Sequence, residues 1–85
     1  MAAVIFESEQ VIRDSDGAAY RARILGEPRA DGTWEAWIEF VPTSGDGPVL
    51  RTGRETTQPN VGAVQYWATG LEPIYYEGAL ARARR

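Results

Sequence analysis

The run Tyr20-Arg21-Ala22-Arg23-Ile24-Leu25-Gly26-Glu27-Pro28, the turn Arg29-Ala30-Asp31-Gly32-Thr33 and the run Trp34-Glu35-Ala36-Trp37-Ile38-Glu39-Phe40-Val41 decide the fold. Successive strand residues point to opposite faces. Trp34, Ala36, Ile38 and Phe40 therefore share one face, and Glu35, Trp37, Glu39 and Val41 the other. In the preceding run Tyr20, Ala22 and Ile24 oppose Arg21, Arg23 and Leu25. The two apolar sets fall on one face only if paired residue numbers sum to an even value. A two-residue Asp31-Gly32 turn would pair Ala30 with Thr33 and bury Glu39 beside Ile24. A three-residue Ala30-Asp31-Gly32 loop pairs Arg29 with Thr33 and keeps the apolar faces together. It also puts Gly32 where a positive φ is needed.

Upstream, a Ser15-Asp16-Gly17 loop pairs Asp14 with Ala18 and sets Ile12 against Tyr20. The two registers together align Glu9, Arg23 and Glu39 on the outer face. Each such opposite-charge neighbour pair contributes a few tenths to about 1 kcal/mol. A third turn spans Pro42 to Pro48. Strands are expected at about 3–13, 18–28, 33–41 and 48–54.

Beyond Gln58 the apolar period lengthens to that of a helix, with Val61, Val64, Trp67, Ala68 and Leu71 on one stripe. Pro59 suits a first turn, Thr57 or Asn60 can cap, and Gly70 with Pro73 ends the helix. Ile74-Tyr75-Tyr76 reads as extended, and Glu77 to Arg85 as either a short helix or a tail. The expected class is α+β: a four-stranded antiparallel β-meander with one α-helix packed on one face and a short C-terminal strand or helix. The whole, residues 1–85, reads as a single domain.

Composition excludes several chemistries. The 85 residues are 44% hydrophobic with nine aromatics, too apolar for a disordered chain. There is no Cys, hence no disulfide framework, thiolate metal site or thiol nucleophile. There is no His, which removes the commonest general base and metal ligand. All nine positive charges are Arg, as a GC-rich coding genome would produce. The net charge of −3 argues against nucleic acid or an anionic membrane as a partner, because phosphate contacts need clustered positive charge. Met1 to Phe6 meets Glu7 too soon for a signal peptide, so a cytoplasmic, membrane-free location is expected. No enzyme activity, cofactor or metal is expected.

Five constellations have residue types that could carry chemistry or contacts. Asp14-x-Asp16-Gly17 has the look of a calcium loop, but its Gly is the fourth residue rather than the sixth, and a hairpin turn accounts for it. The pairs Glu7/Glu9 and Glu35/Glu39 fit general acid–base work only beside a cleft; on an exposed strand face they pair with Arg21 and Arg23. The segment Arg51, Arg54, Glu55, Thr56, Thr57, Gln58 leads into a helix N-terminus, which favours an anion; alternatively Thr57 caps and the arginines are solvated. Leu25 and Trp37 share the outer face. They are either a contact hot spot beside Arg21 and Arg23, or are covered by Tyr75 or Leu80 of the C-terminal segment. Arg82, Arg84 and Arg85 form a small basic tail.

Tyr20-x-Ala22-x-Ile24 followed by Asp31-Gly32-x-Trp34-x-Ala36-x-Ile38, a short strand and a helix resembles the N-terminal domain of HicB-type antitoxins over about residues 18–71. The resemblance implies a partner-binding, non-catalytic role, often in an oligomer. An extra N-terminal strand departs from that pattern, and no DNA-binding segment follows the helix, so DNA binding does not carry over. The bias toward Arg, Trp and Gly also resembles small proteins of GC-rich bacteria. The expectation is therefore a bacterial interaction module with a protein partner or a second copy, using Leu25 and Trp37 and the Arg54–Gln58 corner. The alternative is a nucleic-acid binder that uses Arg21, Arg23, Arg54 and the tail, with Trp37 or Tyr75 stacking on bases.

Overall fold

A computed structural model describes residues 2–85. At its centre β2 (Ala19–Pro28) and β3 (Trp34–Pro42) pair antiparallel without interruption, from Tyr20 opposite Pro42 to Pro28 opposite Trp34. The three-residue loop is as expected: the Arg29 amide donates to the Thr33 carbonyl at 2.7 Å, and Gly32 has φ +88°. Asp31 fixes the turn by accepting from the Thr33 amide and hydroxyl at 2.9 and 2.6 Å. The Thr33 hydroxyl, and then its amide, hold the Asp31 carboxyl below its ordinary range.

β1 (Ala3–Arg13) lies on the other side of β2 and is the edge strand. Near the hairpin its register matches expectation, with Ile12 opposite Tyr20. Further back it breaks twice, between Val4 and Phe6 and between Glu7 and Val11. The second break places Glu7 rather than Glu9 opposite Arg23. Alternation alone cannot reveal such a bulge, because Ser8-Glu9-Gln10 has no apolar residue whose face would be wrong.

The fourth strand is shorter than the sequence implied. β4 is only Leu50–Arg51, and a fifth strand, β5 (Thr56–Gln58), pairs with β3 further along the same edge. Between them the chain leaves the ladder at Thr52. The Thr52 hydroxyl replaces the missing acceptor, taking the Ile38 amide at 3.1 Å and donating to the Gly53 carbonyl at 2.8 Å. The Thr52 amide donates to the Ile38 carbonyl at 2.9 Å, and the Glu55 amide to that of Ala36 at 2.8 Å.

Two helices, not one, cover the inner face. α1 (Val61–Thr69) is capped by Asn60, whose side chain accepts the Ala63 amide at 2.9 Å; Thr57 lies in β5 instead. α2 (Pro73–Arg82) begins with Pro73 at its first turn. It includes Ile74-Tyr75-Tyr76, which the sequence suggested was extended. The buried residues Tyr76, Ala79, Leu80 and Ala83 recur at three, four and seven, a helical stripe that the adjacent aromatics disguise. They complete a core with Ile12, Ala22, Ile24, Ala36, Ile38 and Phe40 of the sheet and Val64 and Ala68 of α1. Past α2, the Arg84 and Arg51 backbones exchange two hydrogen bonds, closing the free edge of β4. No helix among the described residues is long and apolar enough to cross a membrane.

Thr52 is 3% exposed, so its hydroxyl cannot be exchanged for solvent. Thr52→Val keeps the shape and strands the Ile38 amide; a loss of about 1–3 kcal/mol in urea unfolding is expected, with Thr52→Ser close to wild type.

Candidate functional site

The outer sheet face carries Leu25, Trp37, Arg21 and Arg23 of the residues that the sequence nominated. Across it run Glu7, Arg23, Glu39 and Arg51, each opposite the next through β1, β2, β3 and β4. Arg23 donates from Nε and Nη2 to Glu39 Oε1 at 2.9 and 2.7 Å. Arg21 donates to the Glu9 carbonyl at 3.1 Å and thereby holds the β1 bulge. A groove of about 490 Å³ opens beside that bulge, lined by Glu7, Glu9, Arg21, Arg23, Val41 and Thr43.

Leu25 and Trp37 are paired neighbours on this face, flanked by Val4. Trp37 is only 7% exposed. Its cover is neither Tyr75 nor Leu80, which lie in the helical layer, but the Arg51 guanidinium, 4.9 Å from the ring centroid. The Trp37 indole N–H is buried and finds no acceptor among the described residues. Trp37 is thus a packed side chain under a cation, not an open anchor.

The Arg54–Gln58 corner divides. Arg54 is exposed, while Thr56, Thr57 and Gln58 form β5, with the Gln58 amide donating to the Thr56 hydroxyl at 2.8 Å. Glu55, with a side chain 5% exposed, is the anchor of the corner. Its carboxylate accepts from Arg82 Nη1 and Nη2 at 2.6 and 3.1 Å and from the Tyr75 hydroxyl at 2.6 Å. Burial alone would raise the Glu55 carboxyl, but Arg82 and Tyr75 outweigh it and hold it below the usual range. Burial, and then the bond to Glu55, push the Tyr75 phenol up to about 12. The basic tail is therefore partly committed: Arg82 clamps α2 to the β4–β5 connection, and the Arg84 backbone joins the sheet. The Asp14 carboxylate accepts the amides of Asp16 and Ala18, both at 2.9 Å, in its turn.

The residues missed by sequence reasoning lie on the helices. Tyr66 is 83% exposed and Ile74 75%. They immediately precede Trp67 and Tyr75, whose edge-to-face rings, 6.1 Å apart, join α1 to α2. The available signal was the absence of any charged residue from Thr56 to Leu71. A second signal was that Tyr66 sits off the apolar stripe.

Two measurements follow from these environments. Trp37→Ala is expected to cost about 3–5 kcal/mol in urea unfolding, whereas Trp37→Phe, which removes the unpaired donor and keeps a ring under Arg51, costs much less. The depressed Glu55 value means that its clamp stabilises fully above pH 4.5 and is lost as pH falls through the lower folded value. Stability of Glu55→Gln should lack that acid arm. The raised Tyr75 value acts in the opposite direction, with stabilisation present below pH 10.0 and lost as pH rises toward about 12.

The chain matches no protein-family model, no curated protein and no solved structure, so a functional reading stands on this geometry.

Proposed function

We propose that this chain is a non-catalytic protein-interaction module whose contact surface is the outer face of α1 together with Ile74. The observation that carries this reading is Tyr66, a large aromatic exposed at the middle of a helix without a single charged residue. The outward faces of surface helices are ordinarily charged or polar. The cores of protein interfaces are depleted in charge and enriched in Tyr. The exposed residues Val61, Gly62, Gln65, Tyr66 and Thr69 match the second pattern.

The outer sheet face, by contrast, pairs Arg23 with Glu39 and covers Trp37 with Arg51. A nucleic-acid reading requires clustered, unengaged cations. On that face Arg23 is bound to Glu39 and Arg51 stacks on Trp37, and on α2 Arg82 is bound to Glu55, so these cations are already engaged. A relationship to the partner-binding domain of HicB-type antitoxins belongs to the same proposal; it accounts for β2, β3 and α1 but not for β1 or α2.

The test is a benzophenone amino acid installed in place of Tyr66 and, as a control, in place of Asp16 at the hairpin tip, irradiated in cells producing the chain. Protein adducts are expected at position 66 and not at 16, and they should disappear when Ile74→Glu is added. Nucleic-acid adducts at 66, or none of any kind, would sink the reading.

A further inference from the structure

We infer that the α1 face binds a second copy of this chain, helix against helix and antiparallel across a two-fold axis; this rests on the reading of that face as a protein-contact surface. In a two-fold interface each residue near the axis meets its own copy, so any charge there meets its like. α1 carries no charge, and neither do its flanks from Thr56 to Leu71. The exposed positions Val61, Gly62, Gln65, Tyr66 and Thr69 recur at one, four, five and eight, a continuous strip along one side of the helix. Gln65 is the midpoint of α1. With the axis there, Tyr66 of each copy lies beside it, and Val61 of one copy meets Thr69 of the other.

Electrostatics selects the antiparallel arrangement. α1 has no acidic residue in its first turn and no basic residue in its last, so neither end of its dipole is offset by a charged side chain. An antiparallel copy sets each helix end beside the opposite end of its neighbour. It also carries the exposed Glu72, just past the end of α1, toward the first turn of the partner helix. A parallel arrangement would place like ends together.

The interface is one face of a nine-residue helix plus Ile74, so the dimer is a weak and concentration-dependent one. Each chain has net charge −3, and two copies repel outside the neutral contact. Salt screens that repulsion, so association strengthens with ionic strength, the reverse of a phosphate-binding surface.

The experiment is sedimentation of the purified chain from about 1 μM to about 1 mM, at low and high salt, with cysteine cross-linking of this cysteine-free chain. Expected are an apparent mass that doubles with concentration and a lower midpoint in high salt. Gln65→Cys should form a disulfide with itself. Val61→Cys should cross-link to Thr69→Cys in mixtures but not to itself. Tyr66→Glu should weaken the dimer at least about tenfold while circular dichroism stays unchanged. A monomer throughout overturns the inference, as does a dimer that cross-links Val61→Cys to itself. If the monomeric chain still gives adducts to other proteins at position 66, the contact surface stands and only the identity of its occupant falls. If position 66 gives no adduct of any kind, both fall together.

Discussion

The loop Ala30-Asp31-Gly32 sets the parity of the whole sheet, and most of the molecule depends on it. One residue fewer would turn every side chain of β3 to the opposite face of β2. With three residues, Ile24 meets Ile38 in the core, Arg23 meets Glu39 outside, and Leu25 meets Trp37. Gly32 supplies the left-handed backbone, and the Asp31 carboxylate ties the turn through Thr33. These local choices and the burial pattern agree, which makes a β2–β3 hairpin the natural template for the flanking strands.

The flanking strands do not follow that template faithfully. β1 carries two bulges, and the chain between β4 and β5 leaves the ladder at Thr52. Both irregularities affect edges, where an unbroken row of free amides and carbonyls invites pairing with other chains. β1 is bent by its bulges and the bulge is pinned by Arg21; β4 is closed by Arg84. Self-association through sheet edges is thereby discouraged, leaving the helical layer to present Tyr66 and Ile74.

What was legible in the sequence was whatever alternation and turn chemistry encode. The two hairpins, the faces of β2 and β3 and the position of α1 follow from residues such as Gly17, Gly32 and the Val64/Ala68 stripe. The bulge at Ser8–Gln10 was not legible, because polar residues fit either face. Nor was the break at Thr52, where a hydroxyl replaces a backbone acceptor. A helix from Glu77 was one of two open readings, but the start of α2 was misread because Ile74-Tyr75-Tyr76 has strand propensity, which tertiary burial of Tyr76, Ala79 and Leu80 overrides. Trp37 was correctly placed on the outer face, yet its cover came from Arg51, a cross-strand neighbour whose alignment depended on where β4 ended. The exposure of Tyr66 was encoded only indirectly, in the long interval without charge.

The last helix packs against the first strand, and Arg84 closes the sheet beside Arg51. A chain emerging from the ribosome therefore makes β1 early, and α1 and α2, which both pack on it, complete its cover only when α2 has been synthesised. The central hairpin can form while the chain is still tethered, but the core cluster that holds Ile12 is incomplete until Tyr76 and Leu80 join it. Assembly of the core is accordingly a late event, and the apolar inner face of the sheet is the part of the molecule most in need of shielding during synthesis.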